Sequence, residues 1–295
     1  MTDPEGQLDA LARRLEELAS ELAAVRELAA RAYDDTPALA RRLFERRRSP
    51  EWQDAYAAGP LVSVRIGTYR GGDLLFDRTL ASVLAQSYEH WEAIVVCDGQ
   101  EPETAARIAA LGDPRVRCFQ RPRPGPYPEE QRARWHVAGS FPFNEAVGRA
   151  RGAWIAPLDH DDEWTADHLE LLLEQARRTR AEVVYGAFRA LVADAGETWF
   201  GAWPPRQGDF GFQAAIYHAG LADALYDANA HLLDEPGDWN LARRLLEAGV
   251  RWDFVDRVVG TYYVDADAAT LDWWRERVAS RGAHPDSAAS DLPPD

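Results

Sequence analysis

Residues 153–164, AWIAPLDHDDEW, join an apolar run to three aspartates, Asp159, Asp161 and Asp162. The apolar run has the length and composition of a buried β-strand, so the carboxylates follow where that strand ends. Carboxylates this close repel and raise one another's pKa unless a cation lies among them. Magnesium and manganese prefer such oxygen ligands, keep several waters and are completed by a substrate's phosphates. The segment therefore predicts a divalent-metal site beside a bound diphosphate.

A structural interpretation of the same aspartates is a helix cap. The next stretch, TADHLELLLEQARR (residues 165–178), has the pattern of a helix, and Asp161 or Asp162 could cap it. One aspartate is enough for that purpose, whereas the segment contains three. The cluster as a whole therefore favours the metal site.

The surrounding chain predicts an α/β fold. From residue 61 onward, apolar runs alternate with amphipathic stretches, which is typical of parallel strands joined by crossover helices. We predict strands at residues 61–66, 91–97, 115–119 and 153–158, and later a helix from Asp238 to Ala248 and a strand near Arg257 to Val264. In an open doubly wound sheet, ligands bind beyond the carboxyl ends of the strands, near the topological switch point. The acidic segment follows the fourth strand and so falls in that place.

Residues after the first two predicted strands could hold a nucleotide. Thr68, Tyr69 and Arg70 follow the first strand in VSVRIGTYRGGD (residues 62–73), where Tyr69 could stack on a base and the glycines permit close backbone approach. Asp98 ends the second strand in IVVCDGQ and could accept a base imino hydrogen. The alternatives are an ordinary glycine-rich turn and a turn-forming Asp-Gly pair.

Other candidate binding residues lie in two insertions. QRPRPGPYPEEQRARWHVAGSF (residues 120–141) contains four arginines that could neutralise a diphosphate or simply face solvent: Arg121, Arg123, Arg132 and Arg134. The aromatic segment from Trp199 to Phe212 could stack on an acceptor sugar, although core packing would explain it equally well. Asp238 opens the later helix and could be a functional acid or an N-cap.

Composition limits the function. The net charge of -16 argues against a generic nucleic-acid or anionic-membrane surface. All 33 basic residues are arginine, which excludes a Walker-type phosphate loop and Schiff-base chemistry. Cys97 and Cys118 are predicted to be reduced core residues. The acidic N-terminus and the lack of an apolar run near ~20 residues predict a cytoplasmic protein.

The N-terminal residues have a heptad pattern. Its seam consists of Leu8, Leu11, Leu15, Leu18, Leu22, Val25 and Ala29, with Glu21 and Arg26 at flanking g and e positions. One interpretation is a coiled coil that pairs two subunits into a homodimer, and the other is an amphipathic helix lying on its own domain. Residues 36–59 are predicted to be a helical connector, with the basic run RRLFERRRSP (residues 41–50) on a solvated face.

These patterns divide the chain into three parts. We predict an N-terminal helical extension at residues 1–58, a main domain at 59–283 and a disordered tail at 284–295. The main domain would have a nucleotide-binding half at about 59–186 and an acceptor half at about 187–283.

Four segments, in this order, resemble the family 2 glycosyltransferases with the GT-A fold. LVSVRIGTYR (residues 61–70) is similar to their first-strand motif, and TLASVLAQSYEHWEAIVVCDG (79–99) to the helix and strand that follow. NEAVGRARGAWIAPLDHDDEWTADHLELL (144–172) resembles the segment carrying their acidic metal motif. GDWNLARRLLEAGVRWDFVDRVVGTYY (237–263) is similar to the segment that contains their catalytic base.

The resemblance implies a fold and an activity. The fold would be a Rossmann-like open mixed sheet flanked by helices, with the N-terminal helical extension added. The activity would be inverting transfer of a sugar from a nucleoside-diphosphate-sugar donor to an acceptor hydroxyl, with Mn²⁺ or Mg²⁺. The acceptor is left open between a soluble small molecule, a peptide, a glycan and a lipid carrier, and no nucleic acid is implied as a partner.

The resemblance also implies residue roles. Thr68, Tyr69 and Asp98 would hold the nucleotide base, with Arg70 and Arg134 as further donor-binding residues. Asp161 would bind the ribose or the metal, Asp162 the metal that bridges the two phosphates, and Asp159 would be a supporting carboxylate. Asp238 would be the general base, although Asp234 and Glu235 stand close enough to compete. The chain departs from the family pattern at Gly67 (for Pro), Arg70 (for Asn) and Cys97 (for an acid).

Two other functions stay open. The chain could be a non-catalytic nucleotide-binding scaffold of the same fold, which the acidic cluster and Asp238 argue against. It could also be a nucleotidyltransferase, which joins a similar sheet to metal carboxylates but releases pyrophosphate. Release of a nucleoside diphosphate from a sugar donor would separate these functions.

Overall fold

The computed structural model describes residues 4–33, 36–265 and 270–285. Four parallel strands form one half of its sheet. Each is an apolar run, as expected of parallel strands, whose two faces are both covered by helices. They are β1 (Val62–Thr68), β2 (Trp91–Cys97), β3 (Val116–Gln120) and β4 (Trp154–Asp159). The four strands predicted from the sequence are confirmed to within one or two residues at each end.

The strand order places a switch point beside the acidic segment. The order in this half is β3-β2-β1-β4. β2 and β3 therefore lie on one side of β1, and β4 lies on the other. Thr68 pairs in register with Cys97, and Gly67 pairs with Asp159. The carboxyl ends of β1, β2 and β4 therefore meet at one edge, where an open α/β sheet binds its ligands.

The other half of the sheet is mixed. It contains β5 (Glu163–Trp164), β6 (Val183–Val192), β7 (Gly196–Phe200), β8 (Ala215–His218) and β9 (Trp252–Val264). β8 is antiparallel to β4 and β6, whereas β6 and β9 are parallel. Within the described ranges the sheet has nine strands, which confirms the predicted open mixed sheet. The strand predicted near Arg257 begins earlier, at Trp252.

Helices cover the sheet. Between β1 and β2 lie α4 (Gly72–Leu74), a π-helical segment (Leu75–Leu80) and α5 (Ala81–Leu84). The others in the main part of the chain are α6 (Pro102–Leu111), α7 (Gln131–Val137), α8 (Ser140–Gly148), α9 (His168–Thr179), α10 (Gly237–Glu247) and α11 (Leu271–Arg281). Short 3₁₀ helices lie at Phe212–Ala214, Ala219–Leu221 and Ala230–Leu233. The helix predicted at 238–248 is confirmed as α10.

Three helices precede the sheet: α1 (Pro4–Tyr33), α2 (Thr36–Arg46) and α3 (Pro50–Asp54). α2 and α3 bury Leu39, Leu43 and Trp52 in the same apolar core as the sheet. The basic run after Arg41 does not lie only on a solvated face, because Arg47 forms an ion pair of 2.6 Å with Glu182, which is wholly buried. A buried carboxylate needs such a cation to offset the cost of leaving water.

Three further expectations concern the cysteines, the tail and membranes. Cys97 and Cys118 are free thiols on neighbouring strands, with their sulfurs 3.9 Å apart; Cys97 lies in the core, whereas Cys118 is only partly buried. Most of the predicted tail, residues 286–295, lies outside the described residues. In the part of the chain that the structure describes, no helix is long and apolar enough to cross a membrane.

Candidate active site

A cavity of about 690 Å³ opens beside the carboxyl end of β4. Asp159, the last residue of β4, and Asp238, in the first turn of α10, both line it. Trp135, Trp239 and Trp273 also line its wall. The cavity thus combines the Asp159 and Asp238 carboxylates with aromatic rings, which can stack on sugar faces.

Asp238 is held by groups from outside its own helix. Its Oδ2 accepts a hydrogen bond from the Phe212 amide (2.8 Å), and its Oδ1 accepts one from the Tyr226 hydroxyl (2.7 Å). Pro236 occupies the N-cap position of α10, so the Asp238 side chain is not the N-cap. Burial, together with the nearby Asp159 carboxylate, raises the pKa of Asp238. Arg65 and the two hydrogen bonds act in the opposite direction.

The two residues that could compete with Asp238 have other partners. Glu235 forms an ion pair of 2.8 Å with Arg243 and accepts a hydrogen bond from the Asn240 amide group. Asp234 forms an ion pair of 3.3 Å with Arg132. Neither carboxylate lines the cavity, whereas Asp238 does. The geometry therefore favours Asp238 over both neighbours.

Arg65 connects Asp159 to Asp238 through Tyr226, and it was not among the site residues predicted from the sequence. One guanidinium nitrogen lies 3.2 Å from Asp159 Oδ1, and the other donates to the Tyr226 hydroxyl at 2.8 Å. The Tyr226 hydroxyl in turn donates to Asp238. Arg65 is 1% exposed, in the middle of β1. A single charged residue inside an apolar strand was the available signal, because a buried charge requires partners. No comparable sequence signal marked Tyr226.

Gly67 has a packing reason that explains one departure from the family pattern. The Phe143 ring lies over the Arg65 guanidinium, 3.6 Å from its centre. A Cβ on Gly67 would lie 2.5 Å from Phe143 Cε1, so a side chain there would push the ring away. Gly67 therefore gives Phe143 the room to cover Arg65.

The three clustered aspartates have different surroundings. Asp159 lines the cavity and is paired with Arg65. Asp161 is partly exposed, and burial raises its pKa. Asp162 is wholly buried, and burial and the neighbouring Asp161 carboxylate raise its pKa well above the ordinary range. Neither Asp161 nor Asp162 is the cap of α9, because Asp167 occupies that position.

The cluster offers donors that suit a hard cation. Asp162 Oδ1 accepts a hydrogen bond from the Tyr263 amide, but its buried Oδ2 has no partner. A buried carboxylate oxygen without a partner is costly, and a divalent cation would satisfy it. Among the described residues, no group of three His, Cys, Asp or Glu side chains forms a full protein cage. Magnesium and manganese sites of this kind are completed by water and phosphate oxygens.

Two of the predicted nucleotide-binding residues are buried at the same sheet edge. Asp98 is buried at the end of β2 and accepts hydrogen bonds from the Gly125 amide (3.0 Å) and the Tyr127 hydroxyl (2.7 Å). Arg121 forms an ion pair of 3.0 Å with the same carboxylate. The Thr68 hydroxyl is buried and has no partner. None of these residues lines the cavity of Asp238.

The next loop residues are more exposed. Tyr69 is half exposed, and the Arg70 guanidinium lies 5.1 Å from the centre of its ring. Arg70 itself has a positive φ of 53°, a conformation that asparagine adopts more readily than arginine. Tyr69 and Arg70 thus border the sheet edge from outside, within reach of solvent.

The two insertions are only partly near the cavity. Of the four arginines, Arg132 lines it, whereas Arg134 is exposed and donates to the Pro128 carbonyl. The segment from Trp199 to Phe212 packs mainly in the core through Phe200, Phe210 and Phe212. The exposed aromatic surface at the cavity comes instead from Trp135 and Trp273.

Comparison with known proteins agrees with the fold. The model of the family described as Glycosyl transferase family 2 matches residues 63–129 and 131–226, which is more than half of the chain. The match includes Thr68, Asp98 and the acidic cluster but ends before Asp238. The succinoglycan biosynthesis protein ExoO of Rhizobium meliloti is 35% identical over 124 residues. The aligned residues are 42% of this chain and only 32% of that protein.

Solved structures share the fold at low sequence identity. The mannosyltransferase PcManGT from Pyrobaculum calidifontis, solved with GDP-Man and Mn²⁺, has a TM-score of 0.54 and 20% identity, covering 95% of this chain and 77% of that one. TarS of S. aureus, residues 1–349 with UDP, has a TM-score of 0.54 and 16% identity, covering 69% of this chain and 60% of that one. These likenesses show the fold, which is the GT-A type.

Proposed function

The chain belongs to glycosyl transferase family 2, and we propose that it transfers a sugar from a nucleoside-diphosphate-sugar donor to an acceptor hydroxyl, with Asp238 as general base. One observation carries this proposal: Asp238 and Asp159 line one cavity and are joined through Tyr226 and Arg65. The proposed base and the end of the acidic strand are thus held in a fixed relation in the wall of a space large enough for a sugar.

The proposed reaction is a single displacement. The acceptor oxygen forms a bond to the anomeric carbon while the bond from that carbon to the diphosphate oxygen breaks, and its electron pair leaves with the nucleoside diphosphate. The acceptor's proton goes to the Asp238 carboxylate. Attack from the side opposite the leaving group inverts the anomeric centre. The raised pKa of Asp238 suits this role, because it makes the carboxylate a stronger proton acceptor.

We assign the divalent cation, Mn²⁺ or Mg²⁺, to Asp161 and Asp162, with Asp159 in support. When bound, the metal supplies positive charge to the departing diphosphate. The unpaired Oδ2 of Asp162 and the partly exposed Asp161 support this assignment. Arg78 adds a cation at the same place, since its guanidinium lies 3.4 Å from the Asp161 carbonyl.

The nucleotide of the donor is assigned to the edge formed by β1 and β2. Thr68 and Asp98 would contact the base, with Tyr69 stacking and Arg70 and Arg134 closing the outer side. The free Thr68 hydroxyl supports this assignment, because a buried donor without a partner is available to a ligand. PcManGT and TarS, which share the fold, were solved with GDP-Man and UDP.

The acceptor is assigned to the aromatic part of the cavity. Trp135, Trp239 and Trp273 offer faces on which a sugar ring can stack next to Asp238. The name of ExoO refers to succinoglycan biosynthesis, so a growing glycan or its lipid carrier is the acceptor class we propose.

The test has two steps. Thermal unfolding with UDP, TDP, GDP and CMP, each with and without Mn²⁺, should show metal-dependent stabilisation by one nucleotide, because ligand binding to the native state raises its stability. The matching sugar donor is then used to compare Asp238→Asn with Glu235→Gln. We expect Asp238→Asn to lower the rate of nucleoside-diphosphate release about 10²–10⁴-fold, while the nucleotide still stabilises the variant against thermal unfolding. Glu235→Gln should change the rate of release little.

The other functions give different results in the same assay. A non-catalytic scaffold would be stabilised by the nucleotide but would release nothing from any donor. A nucleotidyltransferase would release pyrophosphate from a nucleoside triphosphate. Either result would contradict the proposed sugar transfer.

A further inference from the structure

The N-terminal helix α1 has an apolar seam that its own chain leaves uncovered. Each described seam side chain is between 45% and 65% exposed: Leu8, Leu11, Leu15, Leu18, Leu22 and Val25. The Ala29 side chain lies outside the described residues. α1 passes beside the 3₁₀ helix Ala230–Leu233, yet these six side chains stay exposed. The exposures do not fit the interpretation in which α1 lies on its own domain.

The shape of the seam indicates what covers it. The six residues alternate in steps of three and four, which keeps them on one narrow line along a helix. Between Leu8 and Arg26 the positions beside that line hold small or charged residues, namely Ala12, Ala19 and Arg26 at e positions and Arg14 and Glu21 at g positions. A sheet or a bilayer would favour a broader apolar face. A narrow seam with charged edges matches a second helix of the same kind.

The charge of α1 also argues against a membrane surface. The helix contains six carboxylates and four arginines, which gives a net charge of -2: Glu5, Asp9, Glu16, Glu17, Glu21 and Glu27 against Arg13, Arg14, Arg26 and Arg31. Binding to anionic lipids depends on an excess of basic residues, which this helix lacks.

We propose that α1 pairs with α1 of a second copy of this chain as a two-stranded coiled coil, making the protein a homodimer. Charge complementarity supports a second copy as the occupant. In a parallel pair, Glu21 at its g position faces Arg26 at an e position of the second copy. In an antiparallel pair with Leu15 opposite Leu18, Glu21 faces Arg14 instead. Both directions place a carboxylate against an arginine.

The seam is separate from the proposed active site. No seam residue of the described part of α1 lines the cavity that contains Asp159 and Asp238. Substitutions in the seam can therefore change the oligomeric state without touching the catalytic residues.

The test is the mass of the full chain in solution, measured by analytical ultracentrifugation from about 1 to 100 μM. We expect a dimer for the unmodified protein. The double variant Leu15→Glu, Leu22→Glu should be monomeric, with its dissociation constant raised at least about 100-fold, because it places charges in an apolar seam. Ser20→Glu adds the same side chain on the outer face of the helix and should stay dimeric. The thermal midpoint of the main unfolding transition shows whether each variant is folded.

A second variant tests the charges. Glu21→Arg leaves the seam intact but places like charges together in either helix direction, so the dissociation constant should rise about tenfold. A monomeric unmodified protein at 100 μM, a species larger than a dimer, or an undisturbed dimer in the folded double-glutamate variant would each overturn the proposal.

Discussion

At the residue scale, Asp238 and Arg65 are linked through the Tyr226 hydroxyl, which hydrogen-bonds to both. Arg65 is buried, so its charge is tolerable only because Asp159 and the Tyr226 hydroxyl are within hydrogen-bonding distance. Asp238 has a raised pKa through burial, and Tyr226 limits that rise by donating a hydrogen bond to it. We therefore expect Tyr226 to act through Asp238, as a positioning residue.

Tyr226→Phe should move the acid limb of the pH–rate profile to higher pH. A general base works only when deprotonated, so activity falls as the pH drops through its pKa. Removing a hydrogen bond to the carboxylate raises that pKa further. Tyr185→Phe is the matched control, because the Tyr185 hydroxyl donates to the Ala202 carbonyl instead. An acid limb that stays in place in Tyr226→Phe would contradict this role.

Asp162→Asn tests the metal assignment. The substitution keeps the shape of a wholly buried side chain but removes one negative charge from the acidic cluster. We expect the Mn²⁺-dependent part of the nucleotide stabilisation to disappear in thermal unfolding, while the protein stays folded. Asp167→Asn, in the same segment but paired with Arg257 at 3.3 Å, should keep the response. If Mn²⁺ still adds to the nucleotide stabilisation of Asp162→Asn, the metal must bind to other residues.

At the scale of single elements, β1 combines two unusual residues. Arg65 and Gly67 stand two positions apart on the strand, so their positions share one face of the sheet. The Phe143 ring from α8 covers both of them. The glycine and the arginine therefore belong to one packing arrangement, which holds the strand against α8.

Gly67→Ala should lower the free energy of unfolding by about 1–3 kcal/mol, since the new methyl group would collide with Phe143. Gly148→Ala is the matched control, because a Cβ there meets nothing within 4 Å. Urea unfolding compares the two variants with the unmodified protein. Equal stability of both variants would show that Phe143 can move aside at no cost.

At the scale of the whole molecule, the three N-terminal helices differ in how they pack against the rest of the chain. α2 and α3 contribute Leu39, Leu43 and Trp52 to the core, and Arg47 pairs with Glu182 at the start of β6. Arg251 forms a second ion pair with Glu182, at 2.8 Å. By contrast, the seam of α1 is exposed. Among the described side chains, those of the core that covers the sheet begin in α2.

Two truncations test this difference. Removing residues 1–35 should leave the thermal midpoint within a few degrees, because none of the described side chains in that segment belongs to the apolar core. Removing residues 1–58 should cost several kcal/mol, since it opens the core and leaves Glu182 with one cation fewer. Equal stability of the two truncated chains would support the predicted domain boundary at residue 58.

Much of the fold and part of the site could be predicted from local pattern. The apolar runs fixed the four parallel strands, because burial on both faces needs continuous apolar sequence. The place of Asp159, Asp161 and Asp162 at a strand end followed from the same runs. The start of β9 at Trp252 was missed, because its first residues are only half buried and mix polar with apolar side chains.

What the sequence alone determined was the four parallel strands, the helix at 237–247, the acidic cluster and the heptad seam, since these depend on residues close together in the chain. Only the tertiary structure showed that Asp159, rather than Asp161 or Asp162, lines the cavity. It also showed that Arg65 and Tyr226 join Asp159 to Asp238. It also decided that α2 and α3 belong to the core and that the α1 seam is uncovered. Each of these depends on contacts between residues far apart in the chain, whose distances no local pattern contains.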